Sequence, residues 1–516
     1  MRSNQILFTA LVLSWSITAC IKTEKTDNLP RSIPEAEGVS SQDILKFIEA
    51  VEKSKHELHS FMFLRHGKVI AEGWWNPYRP DLKHTLYSTS KSFTSTAAGF
   101  AVSEKLLSVN DRVISFFPEY LPDTVSNYLS DLTVKDLLTM SAGQDPDATF
   151  IAGRDSNWIK GFLAHPVVND PGTKFLYNSL ATYMVSAIVQ KLTGQKIIDY
   201  LTPRLFEPLG TEGMDWETDP MGINTGGWGL RLKTEDMAKF GQLYLQNGNW
   251  NGQQIIPKQW IEEATTIKIE QNPDATQTKK DSSDWLQGYC YQFWRSRNNS
   301  FRADGAYGQF IIIMPDQDAI IAITAETADM QDEINLVWKY LLPSMHKEKL
   351  VGNADMASAL KQKLSSLALP LPEKKDNPSF ATEISGKTFK LEPNDRLIEN
   401  ISFRFTEDLC QVTLETDTAS FNLSFGSGAW HNSQTTKPGP NLLWYAKANR
   451  VGLPPFQIAG SYSWQDDRTL ELILRYIESP HTERMICQFD ENIISVDIQN
   501  SPDYGSRHLI LKGVLE

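Results

Sequence analysis

His84-Thr85-Leu86-Tyr87-Ser88-Thr89-Ser90-Lys91-Ser92-Phe93 is the stretch on which the reading of this chain turns. Ser88 and Lys91 stand three residues apart, so on a helix they share one face, a turn apart, close enough to exchange a proton. Behind them Phe93, Ala97, Phe100, Ala101 and Leu106 recur at helical spacing, which predicts a helix starting near Ser88. The free N–H groups of a helix start favour developing negative charge. Ser88 is thus a candidate nucleophile with a candidate base beside it.

A Ser-x-x-Lys alone means little, since chance supplies about two in a chain this long. Ser344-Met345-His346-Lys347 and Ser358-Ala359-Leu360-Lys361 are two such occurrences, one after a helix and one in a polar amphipathic stretch, and both read as solvated. By itself, Ser88 reads equally well as an N-cap and Lys91 as a surface lysine.

At 516 residues the chain exceeds one ordinary domain and predicts a catalytic-sized unit plus a smaller one. A formal net charge of −13, with no basic stripe to neutralise phosphates, argues against a nucleic-acid partner. Met1-Arg2-Ser3-Asn4-Gln5 precedes an apolar run from Ile6 to Ala19, too short to span a bilayer, and this reads as an export signal. It ends in Ile17-Thr18-Ala19-Cys20, which resembles a bacterial lipoprotein signal; Cys20 would be lipidated and 21–34 would form a tether. A Sec signal that contains a cysteine is the other reading. The expected location is the bacterial cell envelope, periplasmic or outer surface, with membrane contact through the N-terminal lipid only.

Cys290, Cys410 and Cys487 remain, and Cys410 and Cys487 either pair or stand unpaired in a core. His56-Glu57-Leu58-His59 lacks the spacing that aligns two metal ligands on a helix and reads as a solvated helix end. No metal or cofactor is expected.

Ser41 to Lys53 is an amphipathic helix; Ser60 to Leu64 and Val69 to Trp75 form a hairpin through Arg65-His66-Gly67-Lys68. Further helices are predicted over Leu180–Leu192, Lys233–Leu245, Pro257–Thr265 and Glu333–Leu342, and strands over Tyr289–Trp294, Gln309–Met314 and Ala319–Thr324. Glu270 to Asp284 reads as a polar loop. The early hairpin and the late strands would complete one antiparallel sheet, giving a mixed α/β (α+β) domain over 35–345. A charged connector over 346–380, with the rigid Leu369-Pro370-Leu371-Pro372, leads to an all-β domain over 381–516, a lipocalin-like barrel or a sandwich. Its strands show at Ser402–Thr406, Gln411–Thr416, Leu470–Tyr476, Met485–Phe489 and Ile493–Ile498. Gly386-Lys387-Thr388 lacks the first glycine of a phosphate loop and is discarded.

In this order of elements, the Ser88 stretch, Leu107-Ser108-Val109-Asn110-Asp111, Phe117-Pro118-Glu119 and Leu132–Gly143 together resemble the serine β-lactamase and penicillin-binding superfamily, in its class C-like esterase and amidase branch. The resemblance implies that Tyr177, in Pro171-Gly172-Thr173-Lys174-Phe175-Leu176-Tyr177-Asn178-Ser179, is the proton-managing partner of Lys91. Ser179 stands where the family has Asn, so a substrate-contacting amide is lost, and Asn178 is the neighbour that could compensate. The third motif matches Ala303-Asp304-Gly305-Ala306, with Ala303 in place of the family's Lys or His. Gly305 permits close backbone approach, and the amides of Ser88 and Ala306 would form an oxyanion hole.

Without that cation, and with Asp304 of the wrong sign, carboxylate recognition is expected to fail unless Arg302 points inward. The implied protein is a lipid-anchored serine hydrolase, catalytic through Ser88, Lys91 and Tyr177. Ser179, Ala303, Gly305 and Ala306 would contact the oxyanion or a small-molecule or peptide-like acyl substrate. A true β-lactamase or DD-peptidase, or a surface binding protein without turnover, are the alternatives. Trp228 and Arg231, in a glycine-rich run, read as a structural loop beside the cleft.

Overall fold

The computed structural model describes residues 28–449, 453, 455–501 and 509–516. The export signal and Cys20 lie outside the described residues.

The periodicity read in the sequence builds the first domain. α1 (Ser41–Glu52) buries Ile44, Phe47, Ile48 and Val51 on one face. β1 (Glu57–Arg65) and β2 (Lys68–Trp74) form the hairpin, with His66 and Gly67 at positive φ in its turn. Then come α2 (Ser90–Ser103), α3 (Ser179–Thr193), α4 (Thr234–Leu245) and α5 (Lys258–Thr265); the last three match prediction to within a residue at each end. β3 (Trp294–Ser296), β4 (Ser300–Gly305), β5 (Gln309–Met314) and β6 (Ala319–Glu326) complete one antiparallel sheet, ordered β2-β1-β6-β5-β4-β3. β6 pairs with β1 from Glu57↔Glu326 to Arg65↔Ala319, so the two ends of the domain close its sheet. One core holds Leu64, Phe93, Met184, Phe240 and Ile311; the other holds Phe47, Phe61, Phe310 and Ile321. α4 crosses the sheet so closely that a Cβ on Gly241 would stand 2.8 Å from Ile311.

Several local expectations give way to tertiary contacts. Tyr289–Phe293 is a turn, not a strand: the Cys290 N–H donates to Phe293 O at 2.9 Å, and buried Gln292 is pinned to Leu138 O and Thr182. The polar stretch from Glu270 contains a short helix, Gln277–Ser282, and ends in fully buried Asp284, which accepts from Arg297 and Trp338. His56 and His59 are buried at the start of β1 rather than solvated on a helix, because Thr327 and His84 supply their partners. His84 itself sits in a two-residue strand, His84–Thr85, paired with Leu230–Leu232. The predicted Glu333–Leu342 helix starts as α6 (Met330–Leu336) and widens into a π-helical turn over Val337–Leu341. Ser344 is buried, its hydroxyl donating to Leu341 O, not solvated.

α7 (Ala354–Ser365) lies along α1, with Lys363 2.6 Å from Glu52, and Leu367 and Leu369 enter the same core as Phe47. The segment between the domains is therefore docked on the first one. Beyond it, alternating inward side chains make β7 (Thr388–Leu391), β8 (Ile398–Phe405), β9 (Leu409–Thr416), β10 (Ser420–Ser427), β11 (His431–Thr435), β12 (Phe456–Asp466), β13 (Thr469–Tyr476), β14 (Thr482–Asp490), β15 (Ile493–Asn500) and β16 (Leu509–Leu515). The sheet order is β10-β9-β8-β7-β16-β15-β14-β13-β12-β11, and pairing of β10 with β12 at Gly426↔Ser461 closes it into a barrel. Cys410 and Cys487 are both free and buried in its core, as is Cys290 in the first domain.

Barrel and first domain are in direct contact. Arg475 Nη2 lies 3.0 Å from Glu57, Arg231 Nη1 lies 3.3 Å from Glu478, and the Tyr78 hydroxyl donates to Ser479 O at 3.0 Å. Among the described residues no helix is long and apolar enough to cross a membrane.

Candidate active site

Tyr87–Thr89 form a 3-10 turn that leads into α2, so Ser88 stands at the helix start with Lys91 one turn on. α2 is not simply amphipathic: its small polar side chains are buried and tie it to its neighbours. Thr89 donates to Gln309 O at 2.8 Å, Ser92 to Gln292 O at 2.7 Å and Thr94 to Gly226 O at 2.9 Å. Leu106, expected on the helix, lies beyond its end and is exposed.

Lys91 is 1% exposed, and its Nζ lies 3.0 Å from Ser88 Oγ, 3.0 Å from Ser179 Oγ and 2.6 Å from Gly227 O. Burial lowers its pKa to about 7, against the opposing pull of Asp147 and Asp304. Burial thus favours the free amine beside the serine hydroxyl.

Burial drives the pKa of the Tyr177 phenol upward. Its ring lies beneath Lys91, with Nζ 4.8 Å from the centroid, and stacks on Trp294 at 5.7 Å. Tyr177 thus meets Lys91 through its π face. Ser179, read as a lost amide, bonds Lys91 instead. Asn178 does not compensate: it is buried, caps α3 by accepting from Leu180 and Ala181, and donates to Gln144 at 2.8 Å.

On β4 the strand alternation decides which side chains face the site. Ala303 is fully buried in the core opposite Ile311, so it offers no group to a substrate, contrary to expectation. Gly305 approaches the nucleophile turn so closely that a Cβ would stand 2.2 Å from Leu86 O. Ala306 follows, its carbonyl held by Gln309 Nε2 at 3.1 Å.

Arg302 does not supply the missing cation. It is fully buried, its Nη2 lies 2.8 Å from Asp304 Oδ2, its Nε donates to the same oxygen, and its Nη1 donates to Asp284 O and Ser296. Burial raises the Asp304 pKa and Arg302 opposes the rise. Trp228 is buried, and Arg231 is bound to Asp215 at 2.6 Å, so both are structural. The ring of partners around Lys91 needed Gly227 O, which no side-chain motif announces.

A serine and a lysine in contact at a helix start, beside an antiparallel sheet, are the arrangement of beta-lactamase-type serine hydrolases. Residues 49–340 match the Beta-lactamase family profile, more than half of the chain, and the protein belongs to that family. A 6-aminohexanoate-dimer hydrolase of Paenarthrobacter ureafaciens is 24% identical over 284 residues, 51% of this chain and 71% of its own length. An uncharacterized protein of Alkalihalophilus pseudofirmus is 21% identical over 303 residues, 52% of this chain and 82% of its own. A solved structure of a candidate 6-aminohexanoate-dimer hydrolase from Bacillus anthracis superposes with a TM-score of 0.51 at 21% identity, covering 63% of this chain and 89% of that one. At that identity the likeness speaks for the fold.

Proposed function

We propose that this protein hydrolyses an ester or amide through an acyl-enzyme on Ser88, with a neutral or cationic group near the scissile carbonyl. The observation that carries the reading is the buried Lys91, lowered to about 7 and 3.0 Å from Ser88 Oγ. Ser88 Oγ attacks the carbonyl carbon as its proton passes to Lys91. The Tyr177 phenol hands a proton to the leaving group and is reprotonated from Lys91. Water, deprotonated by the same pair, releases the acyl group and restores Ser88. The amides of Ser88 and Ala306 hold the oxyanion, worth about 3 kcal/mol per donor in such sites.

The preference for neutral or cationic substrates rests on charge. Ala303 brings no cation, and the Arg302 charge is already matched by Asp304. Likeness to proteins named 6-aminohexanoate-dimer hydrolase supports a small-molecule substrate. The signal ending in Cys20 supports export and lipid anchoring at the cell envelope.

Labelling of the purified protein with a fluorophosphonate probe tests the reading. Wild type should label while Ser88→Ala and Lys91→Ala stay silent. A folded wild type that does not label would favour a binding protein on the same fold, and efficient cleavage of a carboxylate-bearing β-lactam would overturn the substrate preference.

A further inference from the structure

The turn between β13 and β14 carries His481 out of the barrel and into the first domain. It is fully buried there, with Nδ1 2.9 Å from Glu326 Oε1 at the end of β6. A carboxylate only accepts, so Nδ1 carries a hydrogen there, and Nε2 faces the other way. The Tyr87 hydroxyl hydrogen-bonds that nitrogen and accepts from the Leu442 N–H at 3.4 Å, a second contribution from the barrel. Glu326 is fixed in turn by the Ser501 hydroxyl at 2.8 Å.

The same imidazole stands edge-on to Tyr307, with centroids 5.2 Å apart, and Tyr307 stands edge-on to Tyr87 at 5.7 Å. Tyr87 precedes Ser88, and Tyr307 follows Ala306. Both tyrosines have left-handed backbone, with φ of 47° and 67°. A non-glycine residue holds that conformation only where its surroundings impose it. Here one side chain from another domain contacts the two residues that flank the two amides aimed at the oxyanion.

We propose that His481 is a positioning residue for the acyl-transfer reaction: through Tyr87 and Tyr307 it fixes the spacing of the Ser88 and Ala306 amides, so the barrel completes the active site. This rests on the assignment of those amides to the oxyanion. A misplacement of about 1 Å in such a site costs on the order of a hundredfold in rate. Substrate binding away from the carbonyl is left intact, so kcat carries the loss.

The test compares full-length wild type with Tyr87→Phe, His481→Ala and His481→Gln, by fluorophosphonate labelling rate, by kcat and KM on a neutral ester, and by melting temperature. Tyr87→Phe keeps the ring and removes only the hydroxyl, so it carries the decision even if His481→Ala fails to fold. Expected are kcat and labelling rates lowered roughly ten- to a hundredfold in Tyr87→Phe and in folded His481→Ala, with KM within about twofold. His481→Gln, whose terminal amide reaches the position of Nε2, should recover most of the loss. Folded Tyr87→Phe labelling and turning over at the wild-type rate would reduce His481 to a tether between domains and overturn the proposal. A wild type that neither labels nor turns over removes the hydrolase reading beneath it, a failure distinct from the first.

Discussion

Arg302 and Asp304, two residues apart on β4 and pointing to the same face of the sheet, form a buried ion pair with Nη2 2.8 Å from Oδ2. The pair stands beside the position from which relatives in this superfamily are expected to offer a free cation. Its neutrality is the basis of the proposed substrate preference.

Replacing Asp304 with Asn should release the Arg302 charge toward the cleft. The ratio of kcat/KM for a carboxylate-bearing ester to that for its neutral methyl ester should rise about tenfold. Breaking a buried pair costs about 3 kcal/mol, visible as a lower melting temperature. An unchanged ratio in a folded variant would show that Arg302 cannot reach the substrate.

Activity should depend on the protonation of Lys91, which is lowered to about 7 by burial. Below that value the ammonium cannot accept the Ser88 proton, so kcat/KM should rise about tenfold per pH unit and level off above it. Lys91→Arg, always charged, should lose at least about a thousandfold. A pH-rate profile from 5 to about 9 checks both.

Ser179→Ala should remove one of the three contacts on Lys91 Nζ while leaving Ser88 and Gly227 O in place. Loss of about 1 kcal/mol of positioning predicts a kcat lowered about fivefold. Ser179→Thr, which keeps the hydroxyl, should retain most activity; the steady-state rates of the pair decide it.

Gly305→Ala should be disruptive, because the added Cβ would fall 2.2 Å from Leu86 O, and backbone must move. Overpacking of this kind costs about 1–3 kcal/mol, and the displaced turn carries Ser88. Reduced melting temperature together with slowed fluorophosphonate labelling is expected. Gly252→Ala, with nothing within 4 Å, serves as the control and should differ only by its strained φ of 83°.

The helices and strands with strong periodicity were legible: α1, the β1–β2 hairpin, α3, α4, β5 and β6 come out almost as spacing predicts. β4 and β12 were not, because Arg302 and Asp304, or Ser461 and Ser463, interrupt the apolar pattern and are buried only through tertiary partners. Tyr289 to Phe293 misled for the converse reason: its aromatic residues look like a strand, but Gln292 is anchored to two other elements. At the site, Ser88, Lys91 and Ser179 stand together through Lys91 Nζ, whereas the full burial of Ala303 opposite Ile311 depends on packing that a motif match does not reveal.

What the sequence by itself determined is the set of local relations: one turn between Ser88 and Lys91, alternation along strands, and the helix that follows Asn178. These follow from backbone geometry over a few residues. Only the tertiary structure decided that Arg302 is consumed by Asp304, that Gly227 O faces Lys91, and that His481, 393 positions beyond Ser88, lies against Tyr87. Such contacts depend on how two domains bury their surfaces against each other, and no spacing within a single segment encodes them.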